Sequence, residues 1–162
     1  MANYYTKLSF GPRKSDFPLE EIAQIIDAAT NDDPDATPTW LLEKHPDFFE
    51  RHNDHFGVAY TMTERTPTAP FDMIIYGEES ANPGFMADVI HAVLEHHGSK
   101  DCVGFEYALD CSKPRIDAYG GGACFITANG IEYMSTNLWL EEKAQAFEKT
   151  VAEEEEDSSP RP

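Results

Sequence analysis

Asn129-Gly130 stands between two β-prone runs, Ala123 to Ala128 and Ile131 to Ser135. That dipeptide accepts the positive φ angles of a two-residue turn, so the spacing predicts a tight antiparallel hairpin. Gly57 to Glu64 and Phe71 to Glu79, joined by a loop at Pro67 to Pro70, predict a second hairpin because both runs are rich in aromatic and β-branched residues. Tyr4 to Phe10, closed by Gly11-Pro12, reads as a first strand. Val103 to Asp110 alternates, with Val103, Phe105, Tyr107 and Leu109 on one side. Strands joined by hairpins commit the chain to a mainly antiparallel sheet.

Helical spacing supplies the second layer. Leu19, Ile22, Ala23, Ile26 and Ala29 recur on one side after Pro18, and Glu20 and Glu21 complement the positive end of the helix dipole. A clearer helix spans Asn82 to His97, with Asn82 as cap, Pro83 in the first position, Gly98 as stop and a stripe of Met86, Val89, Ile90, Val93 and Leu94. Thr39 to His45 and Asp47 to His55 read as short helical turns either side of Pro46. From Asn137 the spacing of Leu140, Ala144, Phe147 and Val151 predicts a last amphipathic helix. The expected architecture is α+β: an antiparallel sheet covered by two amphipathic helices, a ferredoxin-like core with additions. Residues 1–152 form the expected single domain, and the acid-rich residues 153–162 a disordered tail.

At 162 residues the chain is long enough to bury about 70% of its unfolded surface without disulfides or metal. The segment from Ala2 to Lys7 lacks the basic and apolar parts of a signal peptide, and three cysteines cannot all pair within one chain. Both point to the cytoplasm. No apolar run is long enough to cross a membrane.

The formal charge of -18 is spread along the chain, because residues 1–70, 71–100, 101–150 and 151–162 each carry more acidic than basic side chains. Such a surface repels phosphate backbones, which argues against direct nucleic-acid binding. It attracts a basic protein instead, with an encounter rate that falls as salt rises.

The most unusual stretch is Cys111-Ser112-Lys113-Pro114-Arg115-Ile116-Asp117, followed by Gly120-Gly121-Gly122. Read as a loop between strands, it brings Lys113 and Arg115 beside glycine backbone that an anion can approach closely, the chemistry of an anion or nucleotide pocket. The pattern is neither a P-loop nor a dinucleotide fingerprint, and no cofactor is implied. The alternative is an irregular loop in which Arg115 pairs with Asp110 or Asp117 and the glycines form a bulge. Cys111 beside two cations is a candidate thiolate that lacks an identifiable base. His52, Asp54 and His55, with His96-His97, fall short of a zinc ligand set, since no CxxC or HExxH accompanies them.

The segment Cys111-Ser112-Lys113-Pro114-Arg115, with Asp117-Ala118 and Gly120 to Ala123, resembles small uncharacterised proteins encoded by bacteria, plasmids and phages, as does the opening Ala2 to Phe10. The likeness covers the first strand and residues 103–140. It implies an accessory protein of a mobile element and carries over no catalytic residue. The expected function is therefore a non-enzymatic acidic protein that binds a basic host protein as a nucleic-acid mimic or inhibitor. The alternative is a small-ligand or nucleotide-binding protein using Lys113 to Gly122.

Overall fold

The computed structural model describes residues 2–14, 16–53 and 55–158. Its strands are β1 (Tyr4–Phe10), β2 (Ala59–Met62), β3 (Met73–Gly77), β4 (Cys102–Cys111), β5 (Gly120–Thr127) and β6 (Gly130–Ser135). They form one sheet in the order β2-β3-β1-β4-β5-β6, and every neighbouring pair is antiparallel. Its helices are α1 (Leu19–Thr30), α2 (Thr39–Lys44), α3 (Pro83–His96) and α4 (Thr136–Ser158), with single 3-10 turns at Pro34–Ala36 and Glu50–His52. The first four strands, crossed by α1 and α3, stand in the order of the split β-α-β-β-α-β arrangement, and β5 and β6 extend the sheet beyond β4.

The core lies between the sheet and α1 and α3. Ile22, Ile25 and Ile26 of α1 and Phe85, Val89, Ile90, Val93 and Leu94 of α3 are buried against Met73, Ile75, Val103, Phe105 and Ile126. Phe10 stacks on Phe105 at 4.5 Å between ring centroids, which ties the central strands together on the helical side. Phe48 and Phe49, from the turn after α2, pack edge-on with Phe85 and Phe56 and close one end of the core. The limits of α3 follow from its caps. The Asn82 side-chain oxygen accepts the Phe85 N–H at 3.1 Å, and Gly98 takes φ +56° while Ser99 N–H reaches back to the Leu94 carbonyl at 3.0 Å.

Three local expectations change. The β5–β6 hairpin exists, but its turn is centred on Ala128 and Asn129, Thr127 pairs with Gly130, and neither Asn129 nor Gly130 has a positive φ. The Thr127 hydroxyl accepts the Asn129 N–H at 3.2 Å, so a side chain stabilises the turn that was expected to depend on glycine geometry. Gly120, Gly121 and Gly122 lie within β5, opposite Leu109, Ala108 and Tyr107, and not in the preceding loop. The stretch from Glu153 to Asp157, expected to fray, continues α4, because glutamate is a good helix former and extending an existing helix is cheap. Residues 159–162 lie outside the described residues. Among the described residues no helix is long and apolar enough to cross a membrane.

Candidate functional site

Strand alternation sends every second side chain away from the helices, to the opposite face of the sheet. Lys7 and Ser9 of β1, Tyr76 of β3, Glu106 and Ala108 of β4, Phe125 of β5 and Met134 of β6 share this face, by the register Lys7 to Ala108, Ser9 to Tyr76, Gly104 to Phe125 and Ala123 to Met134. Among the described residues no helix covers it, and a groove of about 960 Å³ runs over it past Lys7, Ser9, Tyr76, Glu106, Met134 and Thr136. Lys7 Nζ lies 3.1 Å from Asp110 Oδ2, and Asp110 Oδ1 accepts the Cys111 N–H at 2.8 Å. Those two bonds, the lysine first, hold the Asp110 carboxyl below the usual carboxylate range.

The glycines frame the groove for a steric reason. A Cβ on Gly121 would sit 2.4 Å from the Tyr107 carbonyl oxygen, and one on Gly122 would sit 2.2 Å from the Met134 carbonyl oxygen and 2.6 Å from the Tyr107 hydroxyl. The space a side chain would take is filled by neighbouring strands. Gly121 also holds the start of α4, since its N–H donates to Thr136 Oγ1 at 3.1 Å and its carbonyl accepts that hydroxyl at 3.2 Å.

The loop from Ser112 to Tyr119 holds Lys113, Arg115 and Asp117 at the surface, and none of them lines the groove. Tyr119 braces the loop, its hydroxyl 3.2 Å from both the Cys111 and the Lys113 carbonyl oxygens, and Asp117 adopts φ +60°. Asp110, an expected partner of Arg115, is engaged by Lys7, and among the described residues Arg115 makes no ion pair. Cys111 is buried, and among the described residues no hydrogen bond joins it to a histidine. Lys7, Met134 and Thr136 were not singled out from sequence. The alternation of Tyr5, Lys7 and Ser9 against Leu8 and Phe10 was the available signal for the first of them.

The histidines form separate pairs around α3. His52 Nε2 is 2.7 Å from Asp88, His97 Nε2 is 2.7 Å from Glu21, and the His96 ring stacks on Trp40 at 4.1 Å. Among the described residues no three His, Cys, Asp or Glu side chains gather as a metal-holding group, and Asp54 lies outside those residues.

A second surface lies over the helical layer. Across residues 19–52 the cations other than histidine are Lys44 and Arg51. Gln24 Nε2 donates to the Ala36 carbonyl at 2.8 Å and Thr37 Oγ1 to the Pro34 carbonyl at 2.8 Å, which fixes the turn bearing Asp32, Asp33 and Asp35 against α1. These three carboxylates and those of Glu20, Glu43 and Glu50 are exposed and have no ion pair among the described residues. No family model, no curated protein and no solved structure matches the chain.

Proposed function

We propose that the protein is a non-enzymatic interaction protein, an accessory of a mobile element, that binds a basic host protein through the acidic surface of its helical layer. Its carboxylates occupy the place of nucleic-acid phosphates. The observation that supports this reading is the fixed turn carrying Asp32, Asp33 and Asp35, whose exposed carboxylates, like that of Glu20 across the groove that Asp33 also lines, make no ion pair among the described residues. An array of one sign on a fixed backbone raises the encounter rate with a cationic surface and loses less ordering entropy on binding than a flexible segment would.

The test is binding of the full chain to a panel of purified basic DNA-binding proteins, with duplex DNA as competitor. Binding by a panel member should weaken with salt and be displaced by DNA, and the triple variant Asp32→Lys, Asp33→Lys, Asp35→Lys should lose about tenfold or more in affinity. Deleting residues 153–162 should leave binding in place. Absence of any salt-sensitive partner, or loss of binding on that deletion alone, overturns the reading.

A further inference from the structure

Helix α4 leaves the sheet without a connecting residue: Ser135 ends β6 and Thr136 begins the helix. The two Thr136–Gly121 hydrogen bonds, and one of 2.9 Å from Ser135 Oγ to Asn137 Oδ1, hold this junction. Beyond it Leu138, Trp139, Leu140 and Phe147 are 54–70% exposed, and among the described residues no other element of the chain covers them. The same molecule leaves its open sheet face bare, with Phe125 and Met134 about half exposed. Monomeric proteins rarely leave two apolar surfaces of this kind uncovered.

We propose that each uncovered surface is the partner of the other in a second copy of this chain. Helix α4 of one protomer lies across the open sheet face of its partner and receives the partner's α4 in return, giving a two-fold exchanged dimer. Lengths agree with this. Six strands at ~4.8 Å spacing make a sheet ~24 Å wide, and a helix crossing it perpendicular to the strands covers that width in ~16 residues at 1.5 Å each. Counted from Thr136, the crossing ends just before Glu153, so the run from Glu153 to Asp157 overhangs into solvent and does not face the sheet.

Charge agrees within the crossing. Lys143, whose ammonium lies 5.6 Å from the Trp139 ring, borders the apolar stripe of Leu140 and Phe147, whereas at about 100° per residue Glu141, Glu142, Glu148 and Lys149 fall outside it, and the open face presents Glu106 and Glu132, which have no ion pair among the described residues. Area agrees as well. Trp139, Leu140 and Phe147 share one side of the helix, with Leu138 on the other, and offer roughly 300 Å² per helix, so two helices with the surfaces they cover bury on the order of 1,200 Å², the lower end of a standard stable interface. The acidic helical layer lies on the opposite side of the sheet and stays free in such a dimer.

The test is the solution mass of the full chain by light scattering. The wild type should run at twice the 18.2 kDa chain mass. A helix variant, Leu140→Asp with Phe147→Asp, and a sheet variant, Phe125→Arg with Met134→Arg, should each be monomeric with an unchanged far-ultraviolet spectrum. Mixed together, the two variants should recover heterodimer, because one intact helix then meets one intact sheet face. A monomeric wild type, a dimer indifferent to both variants, or variants that fail to complement overturns the proposal. A monomer that captures a basic protein through α4 also overturns it. None of these outcomes depends on Asp32, Asp33 or Asp35, so the acidic-surface reading stands or falls separately.

Discussion

Lys7 of the central strand reaches across the β1–β4 pair to place its ammonium 3.1 Å from the Asp110 carboxylate, and so takes the acid that the neighbouring loop offers Arg115. Arg115→Ala should therefore leave the melting temperature unchanged, because no ion pair is lost. Lys7→Ala should let the Asp110 pKa rise toward the ordinary carboxylate value, which carboxyl chemical shifts followed by pH titration would report. A depressed carboxyl stabilises the fold above its unfolded pKa, and that contribution is lost as pH falls through the folded one. The acid limb of the stability profile should accordingly flatten in the variant.

Two glycine positions should answer oppositely to alanine. Gly130 has no heavy atom within 4 Å of an added Cβ and no positive φ, so Gly130→Ala should be neutral or stabilising by about 0.4–1 kcal/mol in urea unfolding. Gly122→Ala must push against the Met134 carbonyl and the Tyr107 ring, and should destabilise by about 1–3 kcal/mol. Equal responses at the two sites would contradict the packing described for β5.

Thiol chemistry should separate the three cysteines. Cys102 is exposed, whereas Cys111 and Cys124 are buried, and burial pushes the Cys124 thiol from 9.0 up to about 11. Ellman's reagent at mildly alkaline pH should titrate one thiol rapidly in the native protein and all three in denaturant. A thiol whose folded pKa is raised contributes stability fully present below the unfolded value and lost as pH rises through the folded one. The wild type should lose stability between about pH 9 and 11 more steeply than Cys124→Ala, a difference visible in alkaline melts.

Sheet and helical layer were legible because their signals are local. The Asn82 cap, the Gly98 stop and the α3 stripe each act within a few residues. The turn at Ala128 and Asn129 was displaced by a competing local bond from Thr127, which dipeptide preference does not weigh. The groove was hidden because it is non-local: Lys7, Tyr76, Glu106 and Met134 meet only through strand order, and alternation alone does not say which strands are neighbours. Gly120 to Gly122 misled for a related reason. A glycine run looks the same whether it is there for an anion or to admit the backbone of adjacent strands, and only the partners reveal which.

The position of β1 also bears on how the chain folds as it is made. Of the six strands this one is made first, yet its neighbours in the sheet are β3 and β4, and Lys7 meets Asp110 only after 103 further residues have been added. Until β3 is made the strand at the middle of the finished sheet has both backbone edges unsatisfied, and until β4 is made it still has one. Loops that long must close before non-local pairing returns any stability, so assembly is slow and awaits late synthesis. The nascent chain is most vulnerable to aggregation, and most in need of a chaperone, while the segment through β3 waits for β4.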